Sequence, residues 1–379
     1  MKHQAFLSLP STEFPDLMNA SQSLHTAASA GATDLLERYL EVRQASERLA
    51  LSLSAEDMCA QSMPDASPTK WHLGHTAWFF ETFLLSPGLP GYTLYDERFG
   101  YLFNSYYETV GPRQPRPQRG MLTRPTIEQV LDYRRHVDRQ MARLIGAGSG
   151  PRHRELIELG LQHEQQHQEL ILMDILHLFS LSPLAPAYDV NRPAQPAGRR
   201  GQLRGHPGGL VEIGHGGEGF AFDNEGPRHR QWLEPFQISD RLVSNQEWLC
   251  FIADGGYRNP AFWLSEGWAT VQSQGWTSPL YWRRQADGSE GSAQGWRVMT
   301  LGGLLPLNPD AAVCHISYYE ACAYAEWANA RLPSEVEWEV AASDGLLQQV
   351  SDVAWQWTRS AYSPYPGFRP PAGAVGEYN

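Results

Sequence analysis

The stretch RELIELGLQHEQQHQELILMDILHLF, residues 154–179, decides how this chain is read. Its apolar side chains, Leu159, Ile171, Leu172, Ile175, Leu176 and Leu178 among them, suit one long buried helix. At its centre stands His163-Glu164-Gln165-Gln166-His167. Side chains at i and i+4 leave a helix from the same face, so two imidazoles placed this way can grip one metal ion. The competing reading is a pair of hydrogen-bonded core histidines, each of which would need its own buried polar partners.

A third ligand has to come from another helix. Trp71-His72-Leu73-Gly74-His75 offers two histidines. His75 shares an aromatic face with Trp71 and Trp78, whereas His72 points elsewhere, toward a cap or toward contacts behind the ligands. Gly74 costs its helix about 1 kcal/mol against alanine, and close approach of another element is the reason to expect it there. His153 and His177 are weaker candidates. The pattern His-Glu-x-x-His is also that of zinc peptidases, in which Glu164 would be the general base. Those enzymes usually take their third ligand from downstream, while His75 lies far upstream. Three neutral imidazoles with no carboxylate leave open positions and suit Fe(II) or Zn; spacing does not choose between them.

Working outward, periodicity predicts three more helices, over Thr33 to about Leu53, Trp71–Leu85 and Thr126–Leu144. With the first stretch they make the four helices of a bundle. Residues 92–125, rich in Tyr, Arg and Pro, read as a long ordered loop, and such loops are usually functional. Residues 1–32 read as a flexible lead-in, residues 33–182 as the bundle, and the Pro/Gly-rich residues 183–205 as a linker. Residues 206–379 change texture. Short alternating runs such as Gly209–Gly214 and Phe236–Val243 suggest strands, Ser317–Ala330 is a helix, and Pro333–Ala342 is a further helical candidate. The fold class expected is therefore α+β, a helical domain followed by a loop-rich mixed one.

Composition narrows the function. A chain of 379 residues, 42% hydrophobic, is long enough for two cores. A formal net charge of −12 is not that of a nucleic-acid binder. No run approaches the length of a membrane span and no secretory signal is visible, so the expected location is cytoplasmic, with Cys59, Cys250, Cys314 and Cys322 reduced.

At the level of longer motifs the chain resembles a known family. Residues Ser67 to Thr76, then Trp78-Phe79-Phe80-Glu81 and the His163–His167 segment, are similar to the DinB-like bundle of the ergothioneine-type sulfoxide synthases (EgtB-like), a group that includes a selenoneine synthase (SenA) branch. Pro227-Arg228-His229, Val243-Ser244-Asn245 with Glu247-Trp248, Cys314 to Ala321, Arg331 to Glu339, Trp355 to Thr358 and Tyr365 to Phe368 resemble their formylglycine-generating-enzyme-like domain, a C-type-lectin-related fold.

The resemblance implies an enzyme that uses O2 and Fe(II) to join a sulfur donor to C2 of the imidazole of hercynine, Nα-trimethylhistidine. It implies His75, His163 and His167 as iron ligands, Gln166 and Tyr365 at hercynine, and Tyr362 as the tyrosine supplying a proton. Trp357, with Tyr362, Tyr365 and Trp78, offers aromatic faces to a trimethylammonium. Arg116 and Arg119 are suited to hold the carboxylate of the donor, and Tyr106 or Tyr107 is an alternative proton source. The donor is cysteine, γ-glutamylcysteine or, in the selenoneine branch, a selenosugar. Family chains usually run past the Gly376-Glu377-Tyr378-Asn379 motif, so the second domain is expected to be incomplete at its C-terminus. Ovothiol-type chemistry would call for an added methyltransferase domain, and formylglycine formation for an activated cysteine pair. A non-catalytic thiol-binding or lectin-like module with a structural metal is the remaining alternative.

Overall fold

A computed structural model describes residues 25–148, 150–192, 201–285, 288, 291–373 and 376, with backbone only for residues 25–32. Residues 1–24 of the expected lead-in, residues 193–200 of the expected linker and Glu377-Tyr378-Asn379 lie outside the described residues. The described residues fall into two compact units, one of residues up to Asp189 together with those from Pro370 on, the other Val190–Arg369.

The helical unit is built from α1 (His25–Ala50), α2 (Thr69–Phe80), α3 (Ile127–Gly146) and α4 (Pro151–Ser180). α1 packs along α3 and α4, and α2 lies against the same two helices. Every residue of α2 is buried, which is why its sequence shows little polar punctuation. Thr126 starts α3 with a reciprocal capping box to Gln129, satisfying two backbone N–H groups that the first turn leaves unpaired. The helix expected from Trp71 continues beyond Phe80 as one π-helical turn, Glu81–Leu85, whose Glu81 carboxylate accepts from the Tyr92 and Tyr133 hydroxyls. α1 begins at His25, earlier than the hydrophobic pattern indicates, because its first residues carry no apolar stripe. The expected loop over 92–125 contains a short helix at Phe99–Phe103 and a 3-10 segment at Arg116–Met121. The core joins Tyr39, Trp71, Trp78, Phe79, Phe80, Phe103 and Tyr133.

The second unit holds three small antiparallel sheets among its described residues. β1 (Leu203–His206) pairs with β4 (Phe236–Ser239), β2 (Gly209–Ile213) with β3 (His229–Leu233), and β5 (Trp282–Arg284), β6 (Trp296–Thr300) and β7 (Gly303–Pro306) form the third. Four helices accompany them: α5 (Asn245–Ala253), α6 (Ser265–Gln274), α7 (Tyr318–Trp327) and α8 (Glu335–Ser343). The sequence reading found only the last two. α5, α7 and α8 each start with a Ser-x-x-Glu capping box, at Ser244/Glu247, Ser317/Glu320 and Ser334/Glu337. Trp248, Phe251, Trp263, Trp282 and Trp296 fill the larger core of this unit. The architecture is α+β, as the sequence implied. Among the described residues no helix is long and apolar enough to cross a membrane.

Candidate metal centre

α2 and α4 bring His75, His163 and His167 together, with one ring nitrogen of each within 4.8 Å of the others. All three are buried. His75 Nε2 lies 3.2 Å from His163 Nε2. His75 Nδ1 lies 2.6 Å from the carbonyl oxygen of Phe103. A carbonyl can only accept, so Nδ1 carries the proton and Nε2 keeps its lone pair facing the other histidines.

Burial holds each imidazole neutral. His75 and His167 are pushed well below the ordinary histidine value, first by burial and then by neighbouring imidazoles and Arg119. For His75 the Phe103 carbonyl pulls the other way and does not prevail. His163 is lowered to about 4, again by burial, with Glu164 opposing. Three converging neutral imidazoles are a donor set that fits a divalent transition metal.

The walls are aromatic. Trp71 stacks on the His75 ring at 4.6 Å between centroids, Trp78 stacks on it at 5.5 Å, and Phe79 tilts against His163 at 4.8 Å. Gly74 has a direct reason to lack a side chain, since a Cβ there would overlap the Phe103 ring. Gly160 on α4 is similar, because its Cβ would sit 2.6 Å from Phe80 Cε1.

His72 lies 2.8 Å, nitrogen to nitrogen, from His167 Nδ1 and 3.0 Å from Asp174 Oδ2. Asp174, seven residues after His167, falls on the same helix face. That spacing is the signal the sequence carries for Asp174. His177, considered above as a ligand, contacts Ser62 Oγ instead, at 2.7 Å.

Glu164 turns away from the three histidines into the bundle. Its carboxylate accepts from Arg43 Nη1 at 2.8 Å, Arg134 Nη2 at 2.8 Å and Ser46 Oγ at 2.7 Å. Burial would raise its pKa, but the two guanidiniums and these hydrogen bonds prevail and hold it at about 2. A carboxylate so engaged is not a base for water at the histidines, which removes the structural premise of the peptidase reading.

Arg119 is buried behind Trp71, its guanidinium carbon 3.4 Å from the indole centroid, and its Nη1 donates to Ser67 Oγ at 2.9 Å. Burial, then the like charges of Arg116 and Arg113, lower it to about 9. Arg116 is exposed. Gln166 is half-buried on α4, about 100° around the helix from His167. Tyr107 is buried against Trp78 and Phe83, and the more exposed Tyr106 stacks on it.

Three sequence-derived candidates belong to the second unit. Tyr362 is exposed, and its hydroxyl accepts from Asn224 Nδ2 at 2.8 Å. Tyr365 is buried, donates to Glu335 Oε1 at 3.0 Å and packs its ring 4.6 Å from that of His229. Trp357 donates from its indole to the Ile316 carbonyl at 3.1 Å and meets Tyr318 edge-on. Cys314 and Cys322 are not joined, and burial raises the Cys322 thiol rather than activating it.

Comparison with known proteins gives the same two-part division. Residues 38–171 match the DinB superfamily, and residues 202–369 match the sulfatase-modifying factor enzyme 1-like domain. A hercynine oxygenase of Mycolicibacterium thermoresistibile is 29% identical over 385 aligned positions, covering 89% of this chain and 82% of that protein. One from Mycobacterium tuberculosis is 29% identical, covering 83% of this chain and 81% of its own length. A formylglycine-generating enzyme of Streptomyces coelicolor is 34% identical, over 44% of this chain and 54% of that protein. The last aligns with less than half of this chain, whereas the hercynine oxygenases align across most of it, so the likeness to the EgtB-like enzymes, the ergothioneine-type sulfoxide synthases, runs through both parts of the chain.

Proposed function

We propose that this protein is an Fe(II)- and O2-dependent enzyme that joins C2 of the hercynine imidazole to the sulfur or selenium of a small thiol or selenol donor. The observation that carries the reading is the convergence of His75, His163 and His167, buried and held neutral, within 4.8 Å of one another. Kinship with hercynine oxygenases supplies the substrate class.

In this reading His75, His163 and His167 hold the metal. Iron bound there supplies one-electron chemistry toward O2 and open positions for a soft donor atom. The Phe103 carbonyl keeps the His75 proton on Nδ1 and so frees Nε2 for coordination. Trp71, Trp78 and Phe79 exclude water around the rings.

Arg119 is the proposed anchor for the donor's carboxylate, with the exposed Arg116 as its partner at the surface. A buried guanidinium with Nε lacking a hydrogen-bond partner among the described residues supports that role. Gln166, Tyr365 and Trp357 are assigned to hercynine on their motif positions. Tyr362 is assigned as the proton source, with Tyr106 or Tyr107 in reserve; its accessible phenol already takes part in a hydrogen bond. A cytoplasmic location accords with four free cysteines.

The test is anaerobic reconstitution with Fe(II), then air and hercynine with cysteine, γ-glutamylcysteine or a selenosugar, read by mass spectrometry. A hercynine–donor adduct formed with O2 consumption is expected, and the donor that reacts settles the thiol against the selenol branch. His75→Ala and His167→Ala should lose both iron and adduct. Absence of adduct with every donor, in protein that has bound iron, would overturn the proposal.

A further inference from the structure

His72 and Asp174 lie outside the ligand set, yet they form a chain, half-buried at Asp174 and buried at His72, that ends on it. Asp174 Oδ2 is 3.0 Å from His72 Nε2, and His72 Nδ1 is 2.8 Å from His167 Nδ1. The chain crosses from α4 to α2 and back to α4. His72 is only 2% exposed, and Trp71 meets its ring edge-on at 5.7 Å. Asp174 Oδ2 also accepts the backbone N–H of Ser67, 2.9 Å away and just ahead of α2.

The proton positions follow from what each group can do. A carboxylate only accepts, so the proton on His72 lies on Nε2, directed at Asp174. With a single proton on the ring, His72 offers a lone pair at Nδ1. His167 must fill that contact with its own Nδ1–H, and its Nε2 is left as the lone pair. The reversed arrangement, with Nδ1–H on His72, would oppose the carboxylate with a bare nitrogen and put the His167 proton on the nitrogen needed for coordination. Metal-binding histidines are commonly oriented by a carboxylate acting on the other ring nitrogen; here an intervening imidazole carries that influence one residue further.

We infer that Asp174 and His72 are positioning residues that set the tautomer and ring orientation of His167 for the metal. This rests on the metal reading proposed above. The test uses full-length metal-free protein and Co(II) as the probe. Co(II) affinity is measured against a competing chelator, the visible ligand-field spectrum is recorded, and the metal-free melting temperature is taken for each variant.

His72→Leu and Asp174→Asn are expected to weaken Co(II) binding by about 10- to 100-fold and to shift the ligand-field bands. His72→Gln keeps an oxygen able to accept from His167 Nδ1–H and should recover affinity that His72→Leu loses, at a comparable melting temperature. Wild-type affinity and spectrum in both His72→Leu and Asp174→Asn would overturn the inference. So would weakening that tracks the loss in melting temperature with no recovery in His72→Gln, because the contact would then be structural only. Failure of the wild-type chain itself to bind Co(II) would overturn the metal reading as well, and so is distinguishable from the other two results.

Discussion

Arg134 Nη2 sits 2.8 Å from Glu164 Oε1, and neither side chain reaches solvent. With Arg43 on the other carboxylate oxygen, the motif's glutamate fastens α1, α3 and α4 behind the histidines. Removing one member of a buried ion pair leaves the other uncompensated, at a cost of about 3–5 kcal/mol. Glu164→Ala is therefore expected to lower urea stability of the metal-free chain by that order, followed at the helical far-UV signal. Normal stability with loss of turnover alone would instead revive a general-base role.

Gly74 is a packing requirement rather than a conformational one. Alanine would ordinarily gain about 1 kcal/mol in a helix interior. Here its methyl group meets the Phe103 ring, and overpacking costs about 1–3 kcal/mol. Because the Phe103 carbonyl also receives the His75 Nδ1 proton, Gly74→Ala should weaken metal binding as well as stability. Equilibrium dialysis with metal analysis alongside thermal melting checks both; a stabilised variant with full metal occupancy would contradict the account.

In the second unit, Glu337 closes the Ser334 capping box and receives both terminal nitrogens of Arg331, at 2.6 and 2.7 Å. The Arg331 bonds, aided by the Ser334 N–H, hold its pKa below the usual carboxylate value despite partial burial. A depressed folded-state pKa means that the stabilisation is complete above the unfolded value, about 4.3, and is lost as pH falls through the folded one. Glu337→Gln should cost about 1 kcal/mol at pH 7, kept small by the exposed side of Arg331. Denaturant curves at pH 7 and pH 3 should show the gap between wild type and variant closing at the lower pH.

Tyr362→Phe removes a hydroxyl that Asn224 contacts at the surface, so the fold should be unaffected. The variant is expected to retain iron but to divert oxidation away from the hercynine adduct. Unchanged product yield by mass spectrometry would transfer the proton-donor role to Tyr106 or Tyr107.

The sequence by itself determined the four-helix unit, the i, i+4 pair His163 and His167, and the choice of His75 over His72 as the third member of the cluster. Each rests on local periodicity, which a chain displays without help from distant contacts. It placed α7 and α8 but missed α5, although Ser244-Asn245-Gln246-Glu247 carries the same Ser-x-x-Glu start. That helix spans only Asn245–Ala253, too short for a clear hydrophobic period. Tertiary structure alone decided what each polar group of the site does. Glu164 became a buried anchor because α1 and α3 deliver Arg43 and Arg134 to it, and His72 and Asp174 became neighbours only when α2 packed on α4. Which ring nitrogen keeps its lone pair depends on the acceptor facing the other one, and the Phe103 carbonyl is brought to His75 by folding, across 28 residues of chain.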